Sequence, residues 1–323
     1  MSTIHFLNVN EGDCTWIHHD SGRNTVIDIS NGNDESNEDY KYDGRTKFGE
    51  VTEAVRGNFN QKCHPVNPIK YLKYNGVSSI FRFILTHPDM DHMDGIKALF
   101  GSFKIENFWD TKNNKKMDSN SKWGKYHKED WEFYQRKRKS AIHYYSGDNA
   151  LFFNQDKNGG YGDSLYILAP TEDLVKSANE SGDYNDCSYV LLYAENNHKI
   201  IFAGDSGQKT WDYILEEYES CLSDIDILFA PHHGRKTGGN DDYIKVLKPR
   251  LTVLGNADSQ YLDYATFHNN DLEIITNNQG GNIVVDVSID YIDVYVSNET
   301  FAKANDSHTQ WSTIMNAWYL KKL

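Results

Sequence analysis

Short hydrophobic runs separated by polar turns dominate the first thirty residues. Apolar runs cover residues 3–9, 14–18 and 25–29, and the polar stretch 20–24 carries the turn signals Asp20, Gly22 and Asn24. Short apolar runs bounded by such residues are typical of strands joined by tight turns. The pattern therefore predicts an antiparallel meander of three strands.

Strand-like and helix-like segments alternate along much of the remaining chain. The predicted strands are residues 80–85, 165–168, 189–194, 200–203, 225–229, 251–254, 283–287 and 292–296. The predicted helices begin near residues 95, 210 and 243. Because strands and helices interleave in both halves, we predict an α/β protein with two helix-covered sheets, built as two similar halves.

Two polar segments interrupt this alternation. Residues 31–62 contain few aliphatic side chains and predict either a loop or a surface insertion with one helix. Residues 111–140 carry ten Lys and Arg against four Asp and Glu, interleaved with Trp123, Tyr126, Trp131 and Tyr134. This basic segment is either a solvated amphipathic helix or a surface for phosphate contact and base stacking. We predict one domain over residues 1–323, with insertions at about 31–75 and 104–160.

Composition limits the environment and the partners. With 323 residues and 38% hydrophobic content, the chain can bury a large core. The net charge of −14 repels polyanions, so any contact with DNA or RNA must be local. Four scattered cysteines without a Cys-x-x-Cys pair, and the absence of a secretory signal or a run of about 18 apolar residues, predict a cytoplasmic protein without a membrane span.

Four potential metal ligands fall within six residues after the predicted strand 80–85. They are His87, Asp89, Asp91 and His92. Alternate residues of an extended chain point to one side, so the first three can converge, and His92 can join them after the chain turns. Buried carboxylates need a metal or a basic partner, and no Lys or Arg lies within the six. The cluster predicts a metal site.

Two further predicted strands also end in ligand residues. Gly204-Asp205 follows residues 199–203, and Pro231-His232-His233-Gly234 follows residues 225–230. Ligands at the carboxyl ends of strands occupy the usual position of an α/β site. The ordered combination of three such loops is far more specific than any of them alone.

These motifs resemble the metallo-β-lactamase superfamily. The pattern His-x-Asp-x-Asp-His, with a later Gly-Asp and Pro-His-His-Gly, is most similar to the hydrolase domain of ComEC-type competence proteins, and also to bacterial choline-phosphate esterases. Residues 6–14 are similar to the opening strand and turn of that branch, and the resemblance extends from residue 4 to about residue 288. It implies an αβ/βα four-layer sandwich.

The resemblance also implies roles for individual residues. His87 and Asp89 would bind one metal, Asp91 and His92 a second, and Asp205 would bridge the two. One of the pair 232/233 would complete the second site, with His233 favoured as ligand and His232 facing the substrate or leaving oxygen, although sequence does not order them. Asp91, Asp205 and His232 are thus the catalytic candidates. The implied cofactor is two divalent ions, zinc first, with manganese or magnesium as alternatives because of the oxygen ligands.

Two departures from true lactamases concern the first metal. His-x-Asp replaces His-x-His, and Asn185-Asp186-Cys187-Ser188 stands where a further histidine is expected. Both departures are typical of the ComEC-type branch.

The candidate substrate-binding residues are Asn185, Arg235, Lys236 and His268.

The expected activity is a two-metal hydrolysis of phosphodiesters by a metal-bridged hydroxide, with nuclease activity as the leading specific hypothesis. One alternative is a small-molecule hydrolase of phosphocholine esters, lactones or thioesters, which the negative net charge favours. Another is a metal-stabilised sensing or effector component of a bacterial defence or toxin system. The partner hypotheses are a locally bound DNA or RNA, no membrane, and a homodimer or protein partner.

Overall fold

The computed structural model describes residues 1–33, 59–117, 122–148, 163–236, 239–258 and 260–323. Most of the predicted loop at 31–62 lies outside these ranges. The described ranges form fifteen strands: β1 (Ser2–Phe6), β2 (Thr15–His18), β3 (Asn24–Ile27), β4 (Ser79–Ile84), β5 (Lys104–Trp109), β6 (Leu165–Ala169), β7 (Val190–Glu195), β8 (His198–Phe202), β9 (Ile227–Phe229), β10 (Leu251–Leu254), β11 (Ile274–Thr276), β12 (Ile283–Val287), β13 (Ile292–Val296), β14 (Trp311–Ser312) and β15 (Ala317–Lys322).

The same ranges contain nine α-helices: α1 (Pro68–Tyr74), α2 (Ile96–Ser102), α3 (Lys128–Lys137), α4 (Glu172–Ser181), α5 (Gln208–Tyr218), α6 (Asp242–Leu247), α7 (Tyr264–Asn269), α8 (Asn277–Gly280) and α9 (Glu299–Asn305). None of the helices in these ranges is long and apolar enough to cross a membrane. All four cysteines are free thiols.

The strands form two mixed sheets. The first has the order β14-β15-β13-β12-β1-β2-β3-β4-β5, and the second has the order β11-β10-β9-β8-β7-β6. Strands β1, β2 and β3 pair antiparallel, which confirms the predicted meander. Strand β4 pairs parallel with both of its neighbours, and β9 pairs parallel with both of its own.

Three apolar clusters define four layers. The central cluster joins the inner faces of both sheets, for example Phe6 of the first with Phe202 and Phe229 of the second. A second cluster packs α1, α2 and α3 on the outer face of the first sheet. A third packs α4 to α7 on the outer face of the second sheet. The expected αβ/βα four-layer sandwich is therefore confirmed.

The range 104–160, interpreted above as an insertion, begins with a strand of the first sheet. Strand β5 pairs parallel with β4, and helix α3 packs behind it. Two aromatic residues of the basic segment, Trp131 and Tyr134, are 7% and 0% exposed and belong to that packing, so they are not available to stack on bases. For α3, the amphipathic helix is the interpretation that fits. The single domain and the insertion bounds stay predictions.

The fold brings the three ligand loops together at one edge of the sandwich. The loop 86–92 follows β4 of the first sheet. Asp205 follows β8, and the loop 231–234 follows β9, its parallel neighbour in the second sheet. The site therefore lies where the carboxyl ends of strands from both sheets meet.

Candidate metal centre

The loop after β4 is held in place by Asp28, a buried aspartate that directly follows β3. Asp28 accepts hydrogen bonds from the Thr86 amide and hydroxyl, both at 2.7 Å. A short 3-10 turn from Met90 to His92 then returns His92 to the site. Gly95 follows in the left-handed region at φ 104°, where its Cα packs against the backbone of Gly32. Helix α2 begins directly after Gly95, near the predicted position.

The Asp205 carboxylate lies between two pairs of imidazoles. Its Oδ1 atom is 3.3 Å from His92 Nε2 and 3.7 Å from His233 Nε2. Its Oδ2 atom is 3.8 Å from His87 Nε2 and 3.7 Å from His232 Nε2. Each carboxylate oxygen therefore faces a different pair, as expected of a residue that bridges two cations.

The remaining two carboxylates divide between the same halves. Asp91 Oδ2 is 3.4 Å from His233 Nε2 and 4.0 Å from His92 Nε2. Asp89 Oδ1 is 3.9 Å from His87 Nε2. Atoms bound to one zinc ion at about 2.0–2.2 Å lie about 3–4 Å from one another, so these separations fit a shared cation. We call the two groups the His92 half (Asp91, His92, His233, Asp205 Oδ1) and the His87 half (His87, Asp89, His232, Asp205 Oδ2).

The loop 231–234 adopts an unusual backbone. His232, His233 and Gly234 have φ values of 52°, 57° and 82°, in the left-handed region that disfavours residues other than glycine. The amide of His232 donates to the Gly204 carbonyl at 2.9 Å, and the carbonyl of His233 accepts from the Gly255 amide at 3.1 Å. These bonds hold the strained loop, which directs the two imidazoles to different sides of Asp205. Strain of this kind is concentrated at functional sites.

Two aspartates outside the predicted set orient the histidines of the His92 half. His92 Nδ1 is 2.7 Å from Asp28 Oδ2, and His233 Nδ1 is 3.0 Å from Asp13 Oδ2. A carboxylate on one ring nitrogen leaves the other free for a metal and fixes the ring orientation. Asp13 follows Gly12 in the resembling segment 6–14, which was the available signal. Nothing local in the sequence distinguishes Asp28.

Burial and charge determine how the cluster is ionised. Burial alone would lower the pKa of His92, but Asp205, Asp28 and Asp91 raise it well above its usual value. Burial would also lower the pKa of His233, but Asp13 and Asp205 raise it well above its usual value.

In the His87 half, the pKa values of the histidines shift in the opposite direction. Burial, followed by the neighbouring His92, lowers the pKa of His87, and burial also lowers the pKa of His232. Burial would raise the pKa of Asp205, but His233 and the other histidines hold it well below its usual range.

The residues fit a bound cation. His87 Nε2, His92 Nε2, His233 Nε2 and Asp205 Oδ1 are buried and have no hydrogen-bond partner. Asp13, His92, Asp205 and His233 also form a group whose potential ligand atoms lie within 4.8 Å of one another. Unpaired buried polar atoms are costly, and divalent cations bound in the two halves would satisfy them.

The predicted substrate-binding residues are placed unequally. The Arg235 guanidinium lies 5.3 Å from the ring centre of Tyr261, and its buried Nε has no hydrogen-bond partner. Lys236 and His268 are exposed. Within the part of the chain that the structure describes, neither they nor Asn185 makes a side-chain hydrogen bond or ion pair with the candidate ligands. Their roles stay predictions.

Comparisons with known proteins concern the fold. No family model matches the sequence, and no curated protein matches it. Among solved structures, the chain is similar to a variant of CmlA β-hydroxylase at 11% identity and a TM-score of 0.47, covering 88% of this chain. The match covers 54% of that protein, so the chain spans about half its length.

Two smaller proteins are similar over nearly their whole length. One is described as a metal-dependent hydrolase from Parabacteroides distasonis, at 12% identity and a TM-score of 0.41, covering 83% of this chain and 90% of that one. The other is a diphosphatase from the PhnP family, at 9% identity and a TM-score of 0.42, covering 89% and 98%. Similarity at these values carries no information on the chemistry of this chain.

Proposed function

We propose that this chain is a metal-dependent hydrolase of phosphodiesters and belongs to the ComEC-type branch that its motifs resemble. The observation that carries the proposal is the Asp205 carboxylate between two pairs of imidazoles, three of which offer a buried, unpaired Nε2 atom. Such a set has little use in a purely structural role, because each unpaired buried nitrogen destabilises the fold.

The two halves of the centre would hold the cofactor. Asp91, His92 and His233 would bind one ion with Asp205, and His87 and Asp89 a second. Imidazole ligands favour zinc, whereas the three carboxylates also suit manganese. A divalent ion bound there supplies a water of lowered pKa and neutralises negative charge on the substrate.

The chain's own residues then position and move protons. His232 is the most accessible imidazole of the four, with a side chain 29% exposed, and its lowered pKa keeps it neutral at pH 7. Its Nε2 atom can therefore accept a proton from the attacking water and deliver it to the leaving oxygen. Asp13 and Asp28 hold the rings of His233 and His92 in place during this transfer.

Arg235 supports an anionic substrate. A guanidinium binds phosphate oxygens with two parallel hydrogen bonds, and Tyr261, 53% exposed beneath it, offers a face for an aromatic group. A polynucleotide and a small phosphodiester both fit this description. The net charge of −14 repels a polynucleotide, and the buried Trp131 and Tyr134 cannot stack on its bases. Hydrolysis of a small phosphodiester is therefore the second candidate function.

A substrate panel tests the proposal. Protein loaded with Zn²⁺ or Mn²⁺ is incubated with bis-p-nitrophenyl phosphate, p-nitrophenyl phosphorylcholine, single-stranded and duplex DNA, RNA, a lactone and a β-lactam. We expect phosphodiester cleavage that is lost in Asp205→Asn and restored by metal after chelation. Cleavage of the lactam alone, or turnover unaffected by Asp205→Asn, would overturn the proposal.

A further inference from the structure

One lysine of the basic segment reaches the metal centre. Lys115 Nζ lies 2.5 Å from Asp89 Oδ1 and 5.3 Å from the ring centre of Tyr184. Its side chain is only 20% exposed. Across the described ranges, no lysine or arginine contacts Asp91, His92 or His233. The fixed positive charge therefore lies on the His87 half alone.

The position of Lys115 is determined by a hydrogen-bond network that is buried at Asn113 and Tyr134. Asn113, 7% exposed, accepts from the Lys115 amide at 3.1 Å and donates to the Tyr134 hydroxyl at 2.9 Å. Arg138 donates to the Lys115 carbonyl at 3.3 Å and to the Asn113 side chain at 2.7 Å. Tyr184 OH donates to Asn114 at 2.8 Å. With its backbone held on both sides, Lys115 is not a surface lysine that meets Asp89 by chance.

This network also assigns Arg138 a different task from phosphate binding. Its guanidinium lies over the Tyr134 ring at 4.9 Å, and its Nε atom is 3.8 Å from Asp110 Oδ2. The donors of Arg138 are therefore directed into the protein. The basic segment contributes to the metal centre mainly through Lys115.

We propose that Lys115 makes the two halves of the centre unequal, so that the His92 half binds a divalent cation tightly and the His87 half binds a second one weakly. The inference rests on the proposed function only in that the cluster holds divalent cations. Asp89 cannot give its full negative charge to a metal while it also neutralises the Lys115 ammonium. The ammonium and a metal cation at the same carboxylate also repel each other. Removal of the ammonium should therefore raise the affinity for the second ion by at least about tenfold.

The chemical contrast between the halves points the same way. The His92 half has two imidazoles oriented by Asp28 and Asp13, whereas neither histidine of the His87 half has a carboxylate on its Nδ1 atom in the described structure. Oriented imidazoles bind metals more tightly, since such outer partners contribute roughly 10–100-fold to affinity. Both effects weaken the same half.

Metal counting tests the inference without any measurement of activity. Metal-free protein is titrated with Zn²⁺ by calorimetry, and its zinc content after dialysis is measured by elemental analysis. We expect one retained ion in the wild type and in Lys115→Arg, and two in Lys115→Met. Lys116→Met, at an exposed position of the same loop, is the matched control and should retain one. Equal affinities of the two ions in the wild type, or an unchanged second affinity in Lys115→Met, would overturn the inference.

A second variant identifies the half that holds the tight ion. Asp89→Asn removes a ligand of the His87 half alone, so the single retained ion should keep its wild-type affinity. Loss of that ion would show that the assignment of the halves is reversed and would overturn the inference. Failure of every folded variant to bind Zn²⁺ would overturn the proposed function as well, whereas two equal sites would leave that function standing.

Discussion

His232 and His233 are neighbours in the sequence but face different surroundings. His233 is 2% exposed and lies between Asp13 and Asp91, whereas the His232 side chain is 29% exposed and contacts only Asp205 among the acidic residues near it. The left-handed backbone of both residues produces this divergence. The favoured assignment of His233 as ligand is consistent with these contacts, and the two roles can be separated experimentally.

We expect His233→Gln to lose tight metal binding, because it removes a ligand of the His92 half. His232→Gln should retain the tight ion and lose at least about 100-fold in turnover, the range typical of a lost proton-transfer group. Elemental analysis of both variants, with phosphodiester kinetics, measures the two effects. Loss of metal from His232→Gln with retention in His233→Gln would reverse the assignment.

His5 gives the stability of this protein a pH dependence that is independent of the metal centre. Burial, and secondarily His18, lower the pKa of His5 to about 3, and its ring stacks on Trp16 at 4.3 Å. In the unfolded chain a histidine has a pKa of about 6.5. Between the folded pKa of about 3 and this value, the unfolded state therefore binds one more proton at His5 than the folded state does. The contribution of His5 alone should therefore lower the free energy of unfolding by about 1.4 kcal/mol per pH unit as the pH decreases below 6.5.

Urea unfolding between pH 7.5 and pH 5 measures this slope. His5→Gln should reduce it by the contribution of one proton. His268→Gln, at an exposed position, is the control and should leave the slope unchanged. An identical slope in the wild type and in His5→Gln would contradict the prediction.

At the level of elements, the turn after β1 has to approach the ligand loop closely. Gly12 has φ 82°, and a Cβ atom there would lie 1.8 Å from the Asp91 carbonyl oxygen. Gly76 has nearly the same φ, 79°, with no atom within 4 Å of such a Cβ. The two glycines therefore share the backbone penalty and differ only in the contact.

Gly12→Ala should displace Asp91 and lower metal affinity at least tenfold, in addition to the loss of stability. Gly76→Ala should cost about 1 kcal/mol, as expected for a left-handed residue, and leave metal affinity unchanged. Calorimetric Zn²⁺ titration of both variants provides the comparison. Equal affinities in the two variants would show that the close approach has no functional role.

The hydrophobic pattern located the interior strands well. The predicted strands 251–254, 283–287 and 292–296 match β10, β12 and β13 to the residue, because each is a short segment dominated by apolar residues between polar turns. Strands β5, β11, β14 and β15 were missed. The first four residues of β5 alternate between exposed and half-buried next to a basic segment, and β14 has only two residues. The pairing of both strands therefore depends on the sheet rather than on local pattern.

The residues of the candidate site were likewise predicted only in part from the sequence. The ligand types and their order along the chain follow from the sequence, and the structure brings His87, His92, Asp205 and the pair 232/233 together. Asp28 was not predicted because its role depends on a contact with His92, 64 residues later in the chain. The contact of Lys115 with Asp89 depends in the same way on the packing of α3 and Asn113.

At the level of the whole molecule, a buried ion pair joins the two sheets. Arg82 of β4 and Asp163, which precedes β6, are both 0% exposed in their side chains and contact each other at 2.5 Å. Burial would raise the pKa of Asp163, but Arg82 and His19 lower it below its usual value. Arg82 also donates to Thr25 at 2.9 Å.

Asp163→Asn should destabilise the protein by about 3–5 kcal/mol, because it removes a negative charge that contacts a buried guanidinium. The double variant Arg82→Met/Asp163→Leu should recover most of this loss. Asp242→Asn, which breaks an exposed pair with Lys245, is the control and should change stability by less than about 0.5 kcal/mol. Urea unfolding measures all three, and a double variant as unstable as the single one would contradict the prediction.

The ligands come from both sheets: His87 to His92 from the loop after β4, and Asp205 and the 232/233 pair from loops after β8 and β9. Any opening that separates the sheets would therefore release a cation bound between these loops. Mass action then lets free metal in the surroundings oppose that opening. A cell that runs short of the ion would lose more than catalysis, since the exposed inner faces would become accessible to proteases and the lifetime of the chain would follow the metal supply.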